Sequence, residues 1–253
     1  MTSNKVNKVE NPLYSLAFNI VIPVLILKNG YKWLNNFLGD SNGNNFLQEG
    51  LHYLDKPSLV FAIALIFPVG YFIFDFISRK NINVISILGF INILLTGGIG
   101  VFGAPLGLSK NWFIFKESML PLIIGFSLFI LSIYKKEYFN NIFLNELLFD
   151  RDKINNYITH SSKNEFDKIL QRTGYYFISG FFISSVIQFI LASIIVVSNP
   201  GDPSFNEEVS TMTWVSYIAV LLPTMIILTK GFLGLISGIE RLTGLSKEEF
   251  LKM

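Results

Sequence analysis

The chain has 253 residues, a net charge of +2 and no cysteine; 51% of its residues are apolar and 15% are charged. The small net charge argues against a nucleic-acid partner, and the lack of cysteine excludes disulfides, thiolate metal sites and a cysteine nucleophile. A mean hydropathy of +0.49 with 25 Phe predicts one polytopic membrane domain over residues 1–253, with the lipid bilayer as its surroundings.

Six stretches without a charged residue predict six membrane-spanning helices, because a bilayer core about 30 Å thick needs roughly 20 apolar residues of helix. The predicted fold class is therefore all-α, a six-helix transmembrane bundle. The predicted spans cover residues 11–28, 57–78, 82–102, 112–134, 174–198 and 214–238. The first run lacks a small-residue cleavage site and is predicted to be retained. Four spans are predicted to be interrupted by prolines, at Pro23, Pro68, Pro121 and Pro223.

Orientation follows from the basic residues, which are enriched on the cytoplasmic side of membrane proteins. Of the 20 Lys and Arg residues, 14 fall in the tails and connections on one side and four on the other. This bias predicts that both termini are cytoplasmic. The three tryptophans, Trp33, Trp112 and Trp214, fall at the predicted outer interface, where amphipathic rings prefer to lie.

The connections between the spans differ in character. Residues 29–56 hold six Asn and are predicted to form an irregular outer loop. Residues 140–172 are predicted to be a cytoplasmic amphipathic segment, whose last helix begins at a Ser-x-x-Glu capping box at Ser162 and continues into span 5. The same pattern predicts helix starts at Ser204 and Ser246.

Motifs for catalysis and cofactor binding are absent. The run from Gly98 to Gly103 spells G-x-G-x-x-G, but it follows a membrane helix and precedes Pro105, so a glycine-rich unwinding of span 3 is predicted instead of nucleotide binding. His52 and His160 fall on opposite sides of the predicted membrane and cannot form a metal pair. The sequence therefore predicts no enzyme, no cofactor and no metal, with an intramembrane Asp/Glu arrangement as the catalytic alternative.

Polar residues inside the spans are candidate functional residues, because lipid offers them no hydrogen-bond partner. Asn19, Asn92 and Gln188 are predicted to lie at middle depth in spans 1, 3 and 5. They either bond between closely packed helices or line a polar path through the bundle. The late part of span 6 has a small-residue pattern at Gly231, Gly234 and Gly238.

Charged residues near the predicted cytoplasmic ends of two spans are also candidate functional residues, because a charge in a span needs a partner or an aqueous route. Asp75 of span 2 and Lys230 of span 6 have similar predicted depths. Asp75 is expected either to approach Lys230 or Arg79, or to extend separately to water.

Lys116 and Glu117 lie in the outer part of span 4. Because consecutive residues of a helix do not face each other, they are predicted not to pair, and one of them is expected to turn inward. Together with acidic residues of the outer loop before span 6, they either form an outward-facing polar pocket or are interface charges. The acidic residues are Asp202, Glu207 and Glu208.

Three segments together resemble the intracellular septation protein A family: residues 95–100 (Leu-Thr-Gly-Gly-Ile-Gly), residues 112–118 with Pro121, and the Tyr-Lys-Lys exit at 134–136. Residues 11–13, 19–23 and 205–208 are similar to a related branch of uncharacterised bacterial integral membrane proteins. The resemblance implies a bacterial inner-membrane protein linked to cell-envelope synthesis or division through membrane-protein partners. It supplies no catalytic residues.

The turn between spans 2 and 3 is similar to a signature of major facilitator transporters, with one residue added and a serine in place of a glycine. The matching residues are Gly70, Asp75, Ser78, Arg79 and Lys80. Six spans would form half of such a transporter, which would work as a homo-oligomer. Two functions are therefore expected: an envelope or division protein acting through partners, or a small transporter or lipid-handling protein.

Overall fold

The computed structural model describes residues 12–38, 55–79, 84–145, 148–158 and 162–252. Within these ranges the regular secondary structure is helical, apart from one isolated bridge between Phe149 and Leu251. The all-α prediction is confirmed at that level. The helices are α1 (Pro12–Leu16), α2 (Ile22–Leu38), α3 (Lys56–Arg79), α4 (Val84–Phe102), α5 (Lys110–Tyr134), α6 (Lys136–Phe143), α7 (Arg151–Tyr157), α8 (Lys163–Ile195), α9 (Pro203–Ser216), α10 (Leu222–Thr243) and α11 (Lys247–Phe250).

Five helical stretches among the described residues are long and apolar enough to cross a membrane. They are Leu13–Asn36, Lys56–Ser78, Lys110–Tyr134, Lys163–Ile195 and Pro203–Thr243. The part of α4 from Phe90 to Phe102 adds a shorter apolar helix. Six spans, and the side on which the termini lie, stay predictions.

The chain divides into two compact units, Met1–Glu117 with Phe189–Ser216, and Ser118–Gln188 with Tyr217–Met253. The core of the first unit includes three packed phenylalanines, with the ring of Phe205 stacked on Phe61 at 6.2 Å and meeting Phe113 edge-on at 5.6 Å. The core of the second unit joins side chains of α6, α8, α10 and α11. Its fully buried members include Phe139, Leu235 and Phe250.

The prediction that residues 29–56 form an irregular loop is wrong for residues 29–38, where α2 remains helical. The Asn-rich sequence has weak helix propensity, but tertiary contacts stabilise this part of the helix. Gly30 packs so closely on α3 that an added Cβ would lie 2.7 Å from Val60 Cγ1. Asn35 Oδ1 accepts a 3.0 Å hydrogen bond from Lys56 Nζ. Residues 39–54 lie outside the described ranges.

The predicted unwinding of the glycine-rich run in span 3 is also wrong, since α4 remains helical through Gly98 and Gly100 to Phe102. A Cβ on Gly100 would lie 2.4 Å from ring carbons of Phe61 on α3. Glycine here allows two helices to approach closely, as small residues do in membrane proteins. The chain turns only after Phe102, and Gly107 adopts a left-handed φ of 64°.

The α-helix is interrupted near two of the four span prolines, Pro23 and Pro223, as predicted, whereas the interruptions predicted at Pro68 and Pro121 are wrong. Pro68 and Pro121 lie inside α3 and α5. Each of the other two prolines, Pro23 and Pro223, follows a five-residue π-helical turn, Ala17–Val21 and Tyr217–Leu221 respectively. Proline donates no backbone hydrogen bond and crowds the preceding turn, and a wider π turn is one way for a helix to continue past it.

Two of the three predicted helix starts are consistent with the structure. The prediction that the helix after Ser162 continues into span 5 is confirmed, because α8 is unbroken from Lys163 to Ile195. Ser246 and Glu249 form a capping box, and the hydrogen bonds from Ser246 hold the pKa of the Glu249 carboxyl below its usual value. The prediction for Ser204 is wrong, because α9 begins one residue earlier at Pro203, a residue favoured in the first turn.

Candidate functional site

Lys116 and Glu117 on α5 form a buried ion pair in the first unit. Their side chains are only 6% and 16% exposed, and Lys116 Nζ lies 2.5 Å from Glu117 Oε1. The prediction that these neighbours would not pair is wrong. The two long side chains bridge the roughly 100° between consecutive helix positions, because an unpaired charge in an apolar interior is very costly.

The lysine of this pair also connects two helices. Lys116 Nζ donates a 2.5 Å hydrogen bond to Thr96 Oγ1 on α4, and the Thr96 hydroxyl donates to the Asn92 carbonyl at 2.8 Å. The ammonium group also lies 5.1 Å from the ring centroid of Phe113, within the range of a cation–π contact. The donors of Lys116 are thus used inside the unit, which favours a structural link between α4 and α5.

The positions of the other candidate residues in the predicted spans are less informative about function. Asn19 Nδ2 donates to Ser15 Oγ one turn earlier in its own helix, at 3.2 Å. Asn92, Gln188 and Asp75 are half-buried. The polar path through the bundle stays a prediction. Lys230 forms no ion pair among the described residues, so its predicted pairing with Asp75 is not observed there. The side chain of Arg79, the other predicted partner of Asp75, lies outside the described residues, as do both histidines.

Acidic residues of the loop that is predicted to lie on the outer side organise the turn that precedes α9. Glu208 accepts hydrogen bonds from the backbone N–H groups of Val197 and Ser198, both at 2.9 Å. Asp202 accepts one from the N–H of Asn199 at 3.1 Å. These bonds assign both carboxylates to the loop itself, since a turn needs acceptors for its free N–H groups. They favour a structural role over the predicted polar pocket.

A cavity of about 410 Å³ lies in the second unit, between α8 and α10. We call it the basic cavity. From α8 it is lined by Ile169, Arg172, Thr173 and Tyr176, and from α10 by Lys230, Gly231, Gly234, Ser237, Gly238 and Arg241. Its size falls within the usual range for small-ligand sites, about 300–1,000 Å³.

Close glycine contacts hold the two helices together around this cavity. A Cβ on Gly231 would lie 2.7 Å from Tyr176 Cβ, and one on Gly238 would lie 2.7 Å from Ile169 Cγ2. The Thr173 hydroxyl donates to the Gly231 carbonyl at 3.4 Å. Gly234 differs from these glycines, because a Cβ there would meet no atom within 4 Å. The helices are thus in contact on both sides of Gly234, whereas the space next to Gly234 itself is open.

The charge of the lining is entirely positive. Arg172, Lys230 and Arg241 contribute three cations, and no acidic residue lines the cavity. Arg241 Nη2 is paired with Glu165 Oε1 at 2.6 Å. Within the described ranges, neither Arg172 nor Lys230 has an ion-pair partner. Two uncompensated cations therefore share one concave site, which makes it attractive to anions.

Sequence reasoning singled out Lys230 but missed Arg172 and Arg241, which entered only the count of basic residues that sets the orientation. Grouping the residues by the face of the helix on which they fall could have identified both arginines. Positions 230, 234, 237, 238 and 241 fall on one face of a helix, as do 169, 172, 173 and 176. The missing signal was that these two faces pack on each other, which one sequence does not reveal.

A scan against protein-family models, a search of curated proteins and a search of solved structures each gave no match.

Proposed function

We propose that this chain is a six-span membrane protein with cytoplasmic termini that handles an anionic ligand, either as a lipid-handling protein or as a small transporter. The observation that carries this proposal is the basic cavity, where Arg172 and Lys230 have no ion-pair partner among the described residues. Lys230 falls inside the predicted span 6, where a charge needs a partner or an aqueous route, and an anion at this site would serve as that partner.

The predicted topology supports an anionic lipid as the ligand of the cavity. The start of span 5 and the end of span 6, which supply its walls, fall at the cytoplasmic edge in that topology. The cytoplasmic leaflet carries anionic lipids, whose headgroups attract basic residues near the surface. Tyr175 and Tyr176 fall at the same edge, a depth that amphipathic rings prefer.

The test is the lipid that co-purifies with the protein, identified by mass spectrometry. Wild-type protein is expected to retain anionic lipid. A variant with Arg172→Gln and Lys230→Gln is expected to bind it about a hundredfold more weakly and to lose it during purification, because each charged hydrogen bond contributes about tenfold to affinity. The matched control combines Lys163→Gln with Lys168→Gln, which removes the same charge from exposed positions of α8 outside the cavity.

Equal loss in both variants would mean that general surface charge holds the lipid, and would count against the proposal. So would a wild-type protein that retains only zwitterionic lipid.

A second candidate function is that of an envelope or division protein acting through membrane-protein partners, as the septation protein A resemblance implies. One observation favours it. Gly98, within the segment that carries the resemblance, and Gly70 both have no atom within 4 Å of an added Cβ. Open small-residue positions on membrane helices are suited to close contact with another helix. This reading expects the cavity variants to retain full function in a complementation assay.

A further inference from the structure

We infer that the basic cavity binds a dianionic phosphate monoester, carried either by a lipid headgroup or by a small soluble molecule. This inference rests on the proposed function and narrows it to one chemical class of ligand.

The first argument is the charge balance of the cavity. The lining has three cations and no carboxylate. One of the three, Arg241, already has the Glu165 carboxylate 2.6 Å away. Two cations, Arg172 and Lys230, are left for a ligand within the part of the chain that the structure describes. A phosphate monoester carries about −1.5 to −2 at neutral pH, whereas a phosphodiester or a carboxylate carries a single charge.

The second argument is the type of donor. The planar guanidinium of Arg172 can donate two parallel hydrogen bonds to one phosphate, and the Lys230 ammonium acts as a point charge with three donors. Ser237 and Tyr176, which both carry hydroxyl groups, also line the cavity, while the Thr173 hydroxyl donates to the Gly231 carbonyl. A monoester has three terminal oxygens to accept these bonds, and a diester has two.

The third argument is the open space next to Gly234 of α10. Gly234 lines the cavity, and nothing lies within 4 Å of the Cβ position there. A cavity of about 410 Å³ holds considerably more than one phosphate group. The ligand therefore has room for a glycerol-sized group next to its phosphate.

The experiment measures affinity in detergent for short-chain phosphatidic acid, a monoester, and for short-chain phosphatidylglycerol, a diester. Phosphatidic acid is expected to bind about tenfold more tightly near neutral pH, since a second charge-assisted contact contributes roughly that factor. Its advantage is expected to fall several-fold below about pH 6, where the monoester gains a proton.

Variants locate the site. Lys230→Gln and Arg172→Gln are each expected to weaken phosphatidic acid binding about tenfold. Lys168→Gln, at an exposed position of α8 outside the cavity, should leave it unchanged. Gly234→Leu should block the cavity without altering its charge. Gly70→Leu, at an equally open position in the first unit, is its control. Blocking at Gly234 with intact thermal stability would separate ligand exclusion from misfolding.

Each outcome has a defined meaning. Glycerol 3-phosphate binding as tightly as phosphatidic acid supports the inference with a soluble source, and binding of phosphatidic acid alone supports it with a lipid source. Equal affinity for the monoester and the diester, both weakened by Lys230→Gln, would overturn the inference and leave the proposed function standing. Affinity for phosphatidylcholine equal to that for both anionic lipids would overturn both.

Discussion

Lys116→Met is expected to destabilise the protein by about 3–5 kcal/mol, the typical cost of leaving one charge of a buried pair without its partner. The Glu117 carboxylate lies 2.5 Å from Lys116 Nζ, in a site where both side chains are largely excluded from solvent. The substitution also removes the hydrogen bond to Thr96 and the contact with the Phe113 ring. The measurement is reversible unfolding in mixed detergent.

The control for this prediction is the double variant Lys116→Met with Glu117→Met. A buried ion pair can often be replaced by apolar residues of similar volume at little cost. The double variant is therefore expected to be more stable than Lys116→Met alone, which corresponds to a strong positive coupling between the two positions. Destabilisation equal to the sum of the two single variants would show that the two side chains act independently.

Gly100→Ala and Gly98→Ala are expected to change stability in opposite directions, although they lie in the same turn of α4. An alanine Cβ at Gly100 would lie 2.4 Å from ring carbons of the buried Phe61, and overpacking of this kind costs about 1–3 kcal/mol. At Gly98 the Cβ meets open space. There, alanine should stabilise the helix by roughly 0.5–1 kcal/mol through its higher helix propensity.

The pair of variants is its own control, because both change a helical glycine by one methyl group. Unfolding measured under identical detergent conditions compares them directly. A similar effect of both substitutions would contradict the close packing of α3 on α4. A variant with Phe61→Leu in addition to Gly100→Ala should recover part of the lost stability, since it vacates the space that the new methyl group needs.

Helical character was predictable from sequence because it depends on long uncharged runs and local caps. The continuity of α8 followed from the Ser162 capping pattern and the apolar face behind it. The helical conformation of residues 29–38 was not predictable, since it depends on Gly30 and Asn35 contacting α3. Local propensity is weak where such contacts decide the conformation.

The same distinction applies to the candidate sites. Lys116, Glu117 and Lys230 were identifiable from sequence, because a charge in an apolar run needs an explanation. Their partners were not. The Lys116–Glu117 pair forms because both side chains bend around the helix, which the average spacing rule does not anticipate. Arg172 is brought near Lys230 only by the packing of α8 on α10 through Gly231 and Gly238.

The central claim is that the basic cavity opens to the cytoplasmic side of a membrane and takes an anion. Because the chain has no cysteine, Gly234→Cys introduces a single thiol at the open position of that cavity. In sealed vesicles a membrane-impermeant maleimide is expected to label it from the cytoplasmic side only, and phosphatidic acid or glycerol 3-phosphate should slow the labelling. Labelling from the outer side, or a rate that no anion changes, would contradict the account.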